Sequence, residues 1–218
     1  MVAERIIETN EGIQNALEVE HFDEMARSLR DKGFIETDAV IASGIDRGHA
    51  LEMGPGPGYL GLEWLKKTNG TRLTGLEISA NMIGMAGKNA REYGLEKHVT
   101  YVEGSGLNMP FADKTFDAAF SNGSLHEWED PVRVFSEIRR VLKPGGRFFV
   151  SDLRRDMNFL MKWFIKKSCR PRVMVPGLVS SLNASYTRTE IETILKAVPF
   201  SRLTVKATVP GLEISGMK

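Results

Sequence analysis

The 218-residue sequence predicts an α/β fold, a doubly wound and mostly parallel sheet with helices on both faces. Three observations predict it. Between residues 49 and 152, short apolar runs of strand character alternate with helical periodicities and leave little linker between them. The first run, His49 to Met53, ends in Gly54-Pro55-Gly56-Pro57-Gly58 and passes at once into a helical pattern, the order strand, glycine turn, helix. The chain then closes on two strand-like runs parted by Pro210-Gly211, a hairpin.

Residues 1–48 precede the first strand and are expected to form a helical cap. Phe22, Met25, Ala26 and Leu29 fall at i, i+3, i+4 and i+7 of an amphipathic helix, and Phe34, Ile35, Val40 and Ile41 suggest a second, shorter one. Strands one to three are expected at 49–53, 72–77 and 99–103, and strand four at 116–121. In the helix after the glycine turn, Leu62 and Leu65, and Leu60 and Trp64, recur at helical spacing; Ser79 or Asn81 caps the next helix, where Met82, Ala86, Ala90 and Tyr93 share a face. Asp130-Pro131 opens a helix with an inward stripe of Val134, Phe135, Ile138, Val141 and Leu142. Lys143-Pro144-Gly145-Gly146 is expected to stop it before strand five at 147–151.

Residues 153–186 break the alternation and read as a lid insertion, part helix and part loop. Within it 159–165 is apolar nearly all round and is followed by Lys166, Lys167, Arg170 and Arg172. Thr187-Arg188-Thr189-Glu190 is a capping box for a helix that buries Ile191, Ile194, Leu195 and Val198. Runs 201–208 and 212–215 form the closing hairpin. The organisation expected is thus a cap at 1–48 and a main domain at 49–218 that carries the insertion.

Lys plus Arg number 29 against 28 Asp plus Glu, so a net charge of +1 gives no global attraction to nucleic acid, and none is expected as a partner. A single cysteine, Cys169, excludes an internal disulfide and a cysteine-rich metal site. His21, His49, His98 and His126 are scattered without ligand spacing, so no metal is expected. With no apolar run of signal or membrane-span length, the expectation is a soluble, cytoplasmic protein.

The glycine turn carries the chemistry. Glycine admits a sharp turn and lets a ligand approach where a Cβ would stand, at the N-terminus of a helix. Gly56-Pro57-Gly58-Tyr59-Leu60-Gly61 fits the dinucleotide pattern G-x-G-x-x-G, and Glu77 follows at about the expected 20 residues, so NAD is one reading. A structural turn without ligand is another. Against NAD, the first glycine after the strand is Gly54, out of register with that pattern.

The string Glu52-x-Gly54-x-Gly56-x-Gly58 resembles instead the first motif of class I S-adenosylmethionine-dependent methyltransferases. Glu103-Gly104-Ser105-Gly106 before Met109-Pro110-Phe111 resembles the family's third motif, with Ser105 where an aspartate is common. The run 116–128 resembles the strand-four region, and Leu-His-Glu-Trp with Lys-Pro-Gly-Gly leans towards the small-molecule branch that includes quinone-type enzymes. The four motifs cover about residues 50–152.

The resemblance implies a Rossmann-like sheet of about seven strands with an antiparallel C-terminal strand, S-adenosyl-L-methionine as cofactor, and methyl transfer to a small-molecule acceptor by in-line displacement. Alternatives are an NAD-type oxidoreductase and a non-catalytic binder of the same cofactor. Gly54, Gly56 and Gly58 would cradle the cofactor and Glu52 would hold its amino group through water. A carboxylate at Glu77 can accept two bonds from a ribose diol, and Ile78 can pack on adenine. Gly104, Ser105 and Gly106 would line the adenine side, while backbone at Asn122 and Gly123 would hold the methionine part. His126 is the candidate base, as a neutral imidazole, or else packs under the lid. Asp117, at the start of its strand, reads as structural. Arg154, Trp163, Phe164 and Tyr186 are candidates to bind substrate, and the stretch 159–172 could also rest weakly on a membrane surface. The acceptor atom and the oligomeric state are not legible.

Overall fold

The computed structural model describes residues 4–8 and 12–218. Two helices come first, α1 (Ala16–Asp31) and α2 (Thr37–Ala42). Then follow β1 (His49–Met53), α3 (Tyr59–Lys67), β2 (Arg72–Glu77), α4 (Ala80–Glu92), β3 (Val99–Glu103), β4 (Phe116–Asn122), α5 (Pro131–Val141) and β5 (Leu142–Leu153). The remainder is α6 (Phe159–Ser168), α7 (Val175–Ala184), α8 (Arg188–Leu195), β6 (Ser201–Ala207) and β7 (Gly211–Met217), with short 3-10 turns at Leu125–Glu127 and Arg172–Met174. The seven strands form one sheet in the order β3-β2-β1-β4-β5-β7-β6. β1 to β5 pair in parallel, and β7 runs antiparallel between β5 and β6. The winding direction reverses between β1 and β4, the place where open sheets of this kind bind ligands at their carboxyl ends.

Strand alternation builds two cores, one on each face. Leu51, Met53 and Ala119 face one side and pack with Phe135, Ile138 and Phe148 under α5 and α8. Ala50, Ala118 and Phe120 face the other and pack with Leu62, Trp64 and Leu73 under α3. The Trp64 indole N–H donates to the Ile45 carbonyl at 2.7 Å and so pins the end of the cap to this second core. Helix starts follow their caps: Ser79, rather than Asn81, accepts from Met82 N at 3.2 Å, Asp130 accepts from Arg133 N at 3.0 Å, and Thr187 and Glu190 make the reciprocal capping box.

The structure departs from the sequence reading in four places. In α1 the buried positions are Val19 and Asp23, while Leu29 of the expected stripe is 41% exposed. The helix is anchored by charge instead, since the Asp23 carboxylate accepts the Tyr59 hydroxyl and the Asn89 amide, each at 2.8 Å. Phe34 lies before α2 and is 67% exposed. Lys143 to Gly146 do not separate helix from strand; β5 begins at Leu142 and bulges there, its register against β4 slipping between Phe116 and Ala118. Asp117 holds that bulge, as a structural residue should, accepting His49 N at 2.9 Å and the Lys143 ammonium at 2.6 Å. Finally, residues 159–184 are mainly helical, α6 and α7 around a 3-10 turn. No helix among the described residues is long and apolar enough to cross a membrane.

Candidate functional site

The turn after β1 is shaped by three glycines with positive φ: +61° at Gly54, +53° at Gly56 and +86° at Gly58, which starts α3. A Cβ at Gly54 would stand 2.8 Å from the Ser124 Cβ, and one at Gly58 would stand 2.6 Å from the Tyr101 hydroxyl, so both positions demand glycine on two counts. Gly54 is the first residue past the strand and its N–H donates to Leu76 O at 2.9 Å.

Glu77 ends β2 and ties the turns together. One oxygen accepts Gly56 N at 3.1 Å; the other accepts Ile78 N at 2.9 Å and Ser79 N at 3.1 Å. Burial raises its pKa against the pull of those three N–H groups. Glu52 lies beneath the turn, 2% exposed, and burial pushes its carboxyl up to about 8 although the Gly61 N–H bonds it. Its Oε2 has no partner among the described residues. An orphaned buried oxygen at the root of a glycine cradle, beside a fixed acid at the end of the next strand, fits a ligand with an amino group and a diol.

The N-terminal segment covers this end. Ser79 Oγ donates to Ile13 O and the Asn81 amide donates to Gln14 O, both at 2.5 Å. Gly12 lies so close on Ile78 that a Cβ there would stand 2.7 Å from its Cγ2, and Phe22 of α1 stands over Gly56. After β3, Gly104 N donates to Glu77 O at 2.9 Å, and the Ser105 hydroxyl accepts Leu107 N at 3.2 Å, which leaves its proton to donate; Gly106 sits beside Val134.

At the ends of β4 and β5 side chains join the backbone as partners. The Asn122 amide donates to Ser151 Oγ at 2.9 Å and Gly123 N donates to Ser151 O at 2.8 Å, so both are held by β5, while the Cα of Gly123 faces open space. His126 is 6% exposed. Its Nδ1 stands 2.9 and 3.0 Å from the two Asp152 oxygens, and Asp152 also accepts His126 N and Leu153 N, each at 2.7 Å. On the other side of the ring, Nε2 faces Glu8 at 3.5 Å and Glu127 at 4.0 Å. Burial opposes the charge on the ring, yet Asp152, Glu127 and Glu8 outweigh it and raise its pKa to about 9. These carboxylates favour the charged form of the ring, whereas the sequence reading expected a neutral imidazole. Burial raises Glu127 to about 7, opposed by His126 and helped by Glu8.

Of the four residues expected to bind substrate, only Tyr186 joins this group. Its ring lies 4.0 Å under the Arg5 guanidinium, which also donates to His126 O at 2.9 Å. Arg154 is clamped by Asp156 at 2.6 and 2.9 Å and by Thr208 O. Trp163 and Phe164 are 59% and 55% exposed on α6. The sequence reading missed Asp152, Glu127, Glu8 and Arg5. Glu127 stood next to His126 in the quoted motif and Asp152 at the carboxyl end of a strand, both legible signals; nothing marked Glu8 or Arg5. Among the described residues, no three His, Cys, Asp or Glu side chains gather as a metal site.

Residues 51–150 match the family model described as methyltransferase domain. The chain is 41% identical over 102 residues to a sterol 24-C-methyltransferase of Gibberella zeae, covering 47% of this chain and 27% of that one. It is 28% identical over 178 residues to the chloroplastic 2-phytyl-1,4-beta-naphthoquinone methyltransferase of Arabidopsis thaliana, 75% of this chain and 68% of the other. Four curated relatives at 32% to 43% identity are covered over only 27% to 50% of their own length. The fold matches a crystal structure from Methanococcus maripaludis, provisionally described as an S-adenosyl-L-methionine-dependent methyltransferase, with a TM-score of 0.78, 23% identity, and coverage of 98% of this chain and 97% of that one.

Proposed function

We propose, from the match of residues 51–150 to the methyltransferase-domain model, that the chain transfers a methyl group from S-adenosyl-L-methionine to a small, lipid-soluble acceptor. The observation that carries this reading is the bond from Gly56 N to Glu77 Oε2, which sets a three-glycine turn beside an acid at the end of the neighbouring strand. Glu77 would accept the ribose diol there, and the unpaired oxygen of Glu52 would face the cofactor's amino group. The register favours this cofactor over NAD, because Gly54 and not Gly56 is the first glycine of the turn. When bound, S-adenosyl-L-methionine supplies an activated methyl on a sulfonium that leaves as a neutral thioether.

The protein has to align the acceptor and keep water out. Phe22 over Gly56 and residues 12–14 along Ile78 to Asn81 close the cofactor side. At the other end, Asp152 holds the imidazolium of His126, which in turn faces Glu127. Glu127, poised by burial near 7, would take the proton that the acceptor's carbon, oxygen or nitrogen loses as the electron pair on that atom forms the bond to the methyl carbon. His126 is then a positioning cation. Positive charge that develops on a neutral acceptor is favoured by Asp152 and Glu8.

The test is release of S-adenosylhomocysteine with quinol, sterol and amine acceptors. Glu127→Gln should slow turnover about a hundredfold and leave affinity for S-adenosylhomocysteine within about twofold. Undiminished turnover would remove Glu127 from the reaction. Tight binding with no release for any acceptor would favour the non-catalytic reading.

A further inference from the structure

The insertion between β5 and α8 exposes what a folded chain ordinarily buries. α6 has no buried residue, and its Phe159, Leu160, Trp163 and Phe164 are 77%, 62%, 59% and 55% exposed. Val173 in the following 3-10 turn is 58% exposed. Single exposed apolar residues need no account, but five within one turn-and-helix unit form a patch, and such patches mark contact surfaces. Lys32, at the end of α1, lines one surface cavity of about 530 Å³ with Trp163, Phe164, Lys167, Ser168 and Arg170, so the cap contributes to the same face.

The insertion's own charge has one sign. Residues 157–189 contain no Asp or Glu, whereas Lys162, Lys166, Lys167, Arg170 and Arg172 fall inside α6 and the turn after it. The Lys167 ammonium lies 4.7 Å from the centre of the Trp163 ring, and the Arg170 and Arg172 guanidinium groups fold back on the carbonyls of Lys166, Lys167 and Cys169. The bases are thereby gathered beside the apolar side chains.

We propose that this face docks on an anionic lipid bilayer, with Phe159, Leu160, Trp163 and Phe164 entering the headgroup boundary and the five bases meeting lipid phosphates. The 10-residue α6 is too short to span a bilayer and suits lying in the interface plane. A two-fold contact between copies would set five bases against five bases, which disfavours a second chain as occupant. α7, the next helix of the insertion, packs on α6 and on the turn Leu125–Glu127 that carries His126 and Glu127, so the docking helix is one element removed from that turn. The proposal concerns the surface and stands apart from the methyl-transfer reading.

The experiment is sedimentation of the full chain with vesicles of phosphatidylcholine, alone or mixed with phosphatidylglycerol. Binding is expected to the mixed vesicles only and to weaken as salt is added. Trp64 is 0% and Trp128 8% exposed, so bromine-labelled acyl chains should quench Trp163 selectively. The double variant Phe159→Ser, Phe164→Ser should lose about tenfold in partition, and Lys166→Gln with Lys167→Gln about twentyfold. Melting temperatures should be unchanged in both, because the altered side chains are not buried. Three results would overturn the proposal: no binding to mixed vesicles, equal binding by wild type and both variants, or a lipid-free dimer that the same variants dissolve, which would assign the face to a second copy.

Discussion

The two ends of the candidate site hold their carboxylates by different means. At β1 and β2, Glu52 and Glu77 are bonded by backbone N–H groups of the turns they face. At β4 and β5, Asp152 accepts the backbone N–H groups of His126 and Leu153 and faces the His126 ring as well, with Glu127 and Glu8 around that ring's other nitrogen. Backbone donors fix position and never titrate, so the first end is a rigid cradle. The second end adds a donor, the His126 ring, that can itself gain or lose a proton.

Removing the charge at the second end is the largest break in this contrast. Asp152→Asn leaves a buried imidazole without its anion and should cost about 3 kcal/mol, read by denaturant unfolding. The His126 pKa should fall from about 9, followed by its ring proton resonances; a ring that still titrates near 9 would mean that Asp152 is not what charges it. At the first end, Gly58→Ala puts a Cβ against Tyr101 at φ +86° and should cost about 2 kcal/mol with loss of cofactor binding.

A pH series is the subtler test. The folded pKa values of His126, Glu52 and Glu127, about 9, 8 and 7, all lie above their ordinary values of 6.5, 4.5 and 4.5, so the folded state keeps more protons than the unfolded one. The stability His126 contributes is complete below pH 6.5 and is lost as pH rises through about 9. Each such proton adds about 1.4 kcal/mol per pH unit to the fall, and His126→Gln should remove its share of the slope. Stability that rises over that interval would contradict the assignment.

The contrast also explains what was legible in the sequence. Glu52, the glycines and Glu77 lie within one strand-turn-helix-strand unit, where spacing alone relates them. The Asp152 partner of His126 lies 26 residues away and its role depends on β5 standing beside β4. Likewise α1 was assigned an apolar stripe, yet its anchor is Asp23, bonded to Tyr59 and Asn89, which are 36 and 66 residues distant. Periodicity registers burial of apolar side chains and is blind to a buried carboxylate. For 159–165, apolar nearly all round, it gave no preferred face, and Trp163 and Phe164, expected to line a substrate pocket, stand more than half exposed beside a surface cavity. Arg154 is tied to Asp156, a partner two residues on that the sequence already showed.

Calorimetric titration of S-adenosylhomocysteine into the wild-type chain and into Glu77→Ala addresses the central claim, that the glycine turn and its acid form a cofactor cradle. Saturable binding by the wild type, weakened in the variant by about 1 to 3 kcal/mol, is the expected result. Equal affinity in both would remove Glu77 from the site, and no binding by the wild type would contradict the cradle itself.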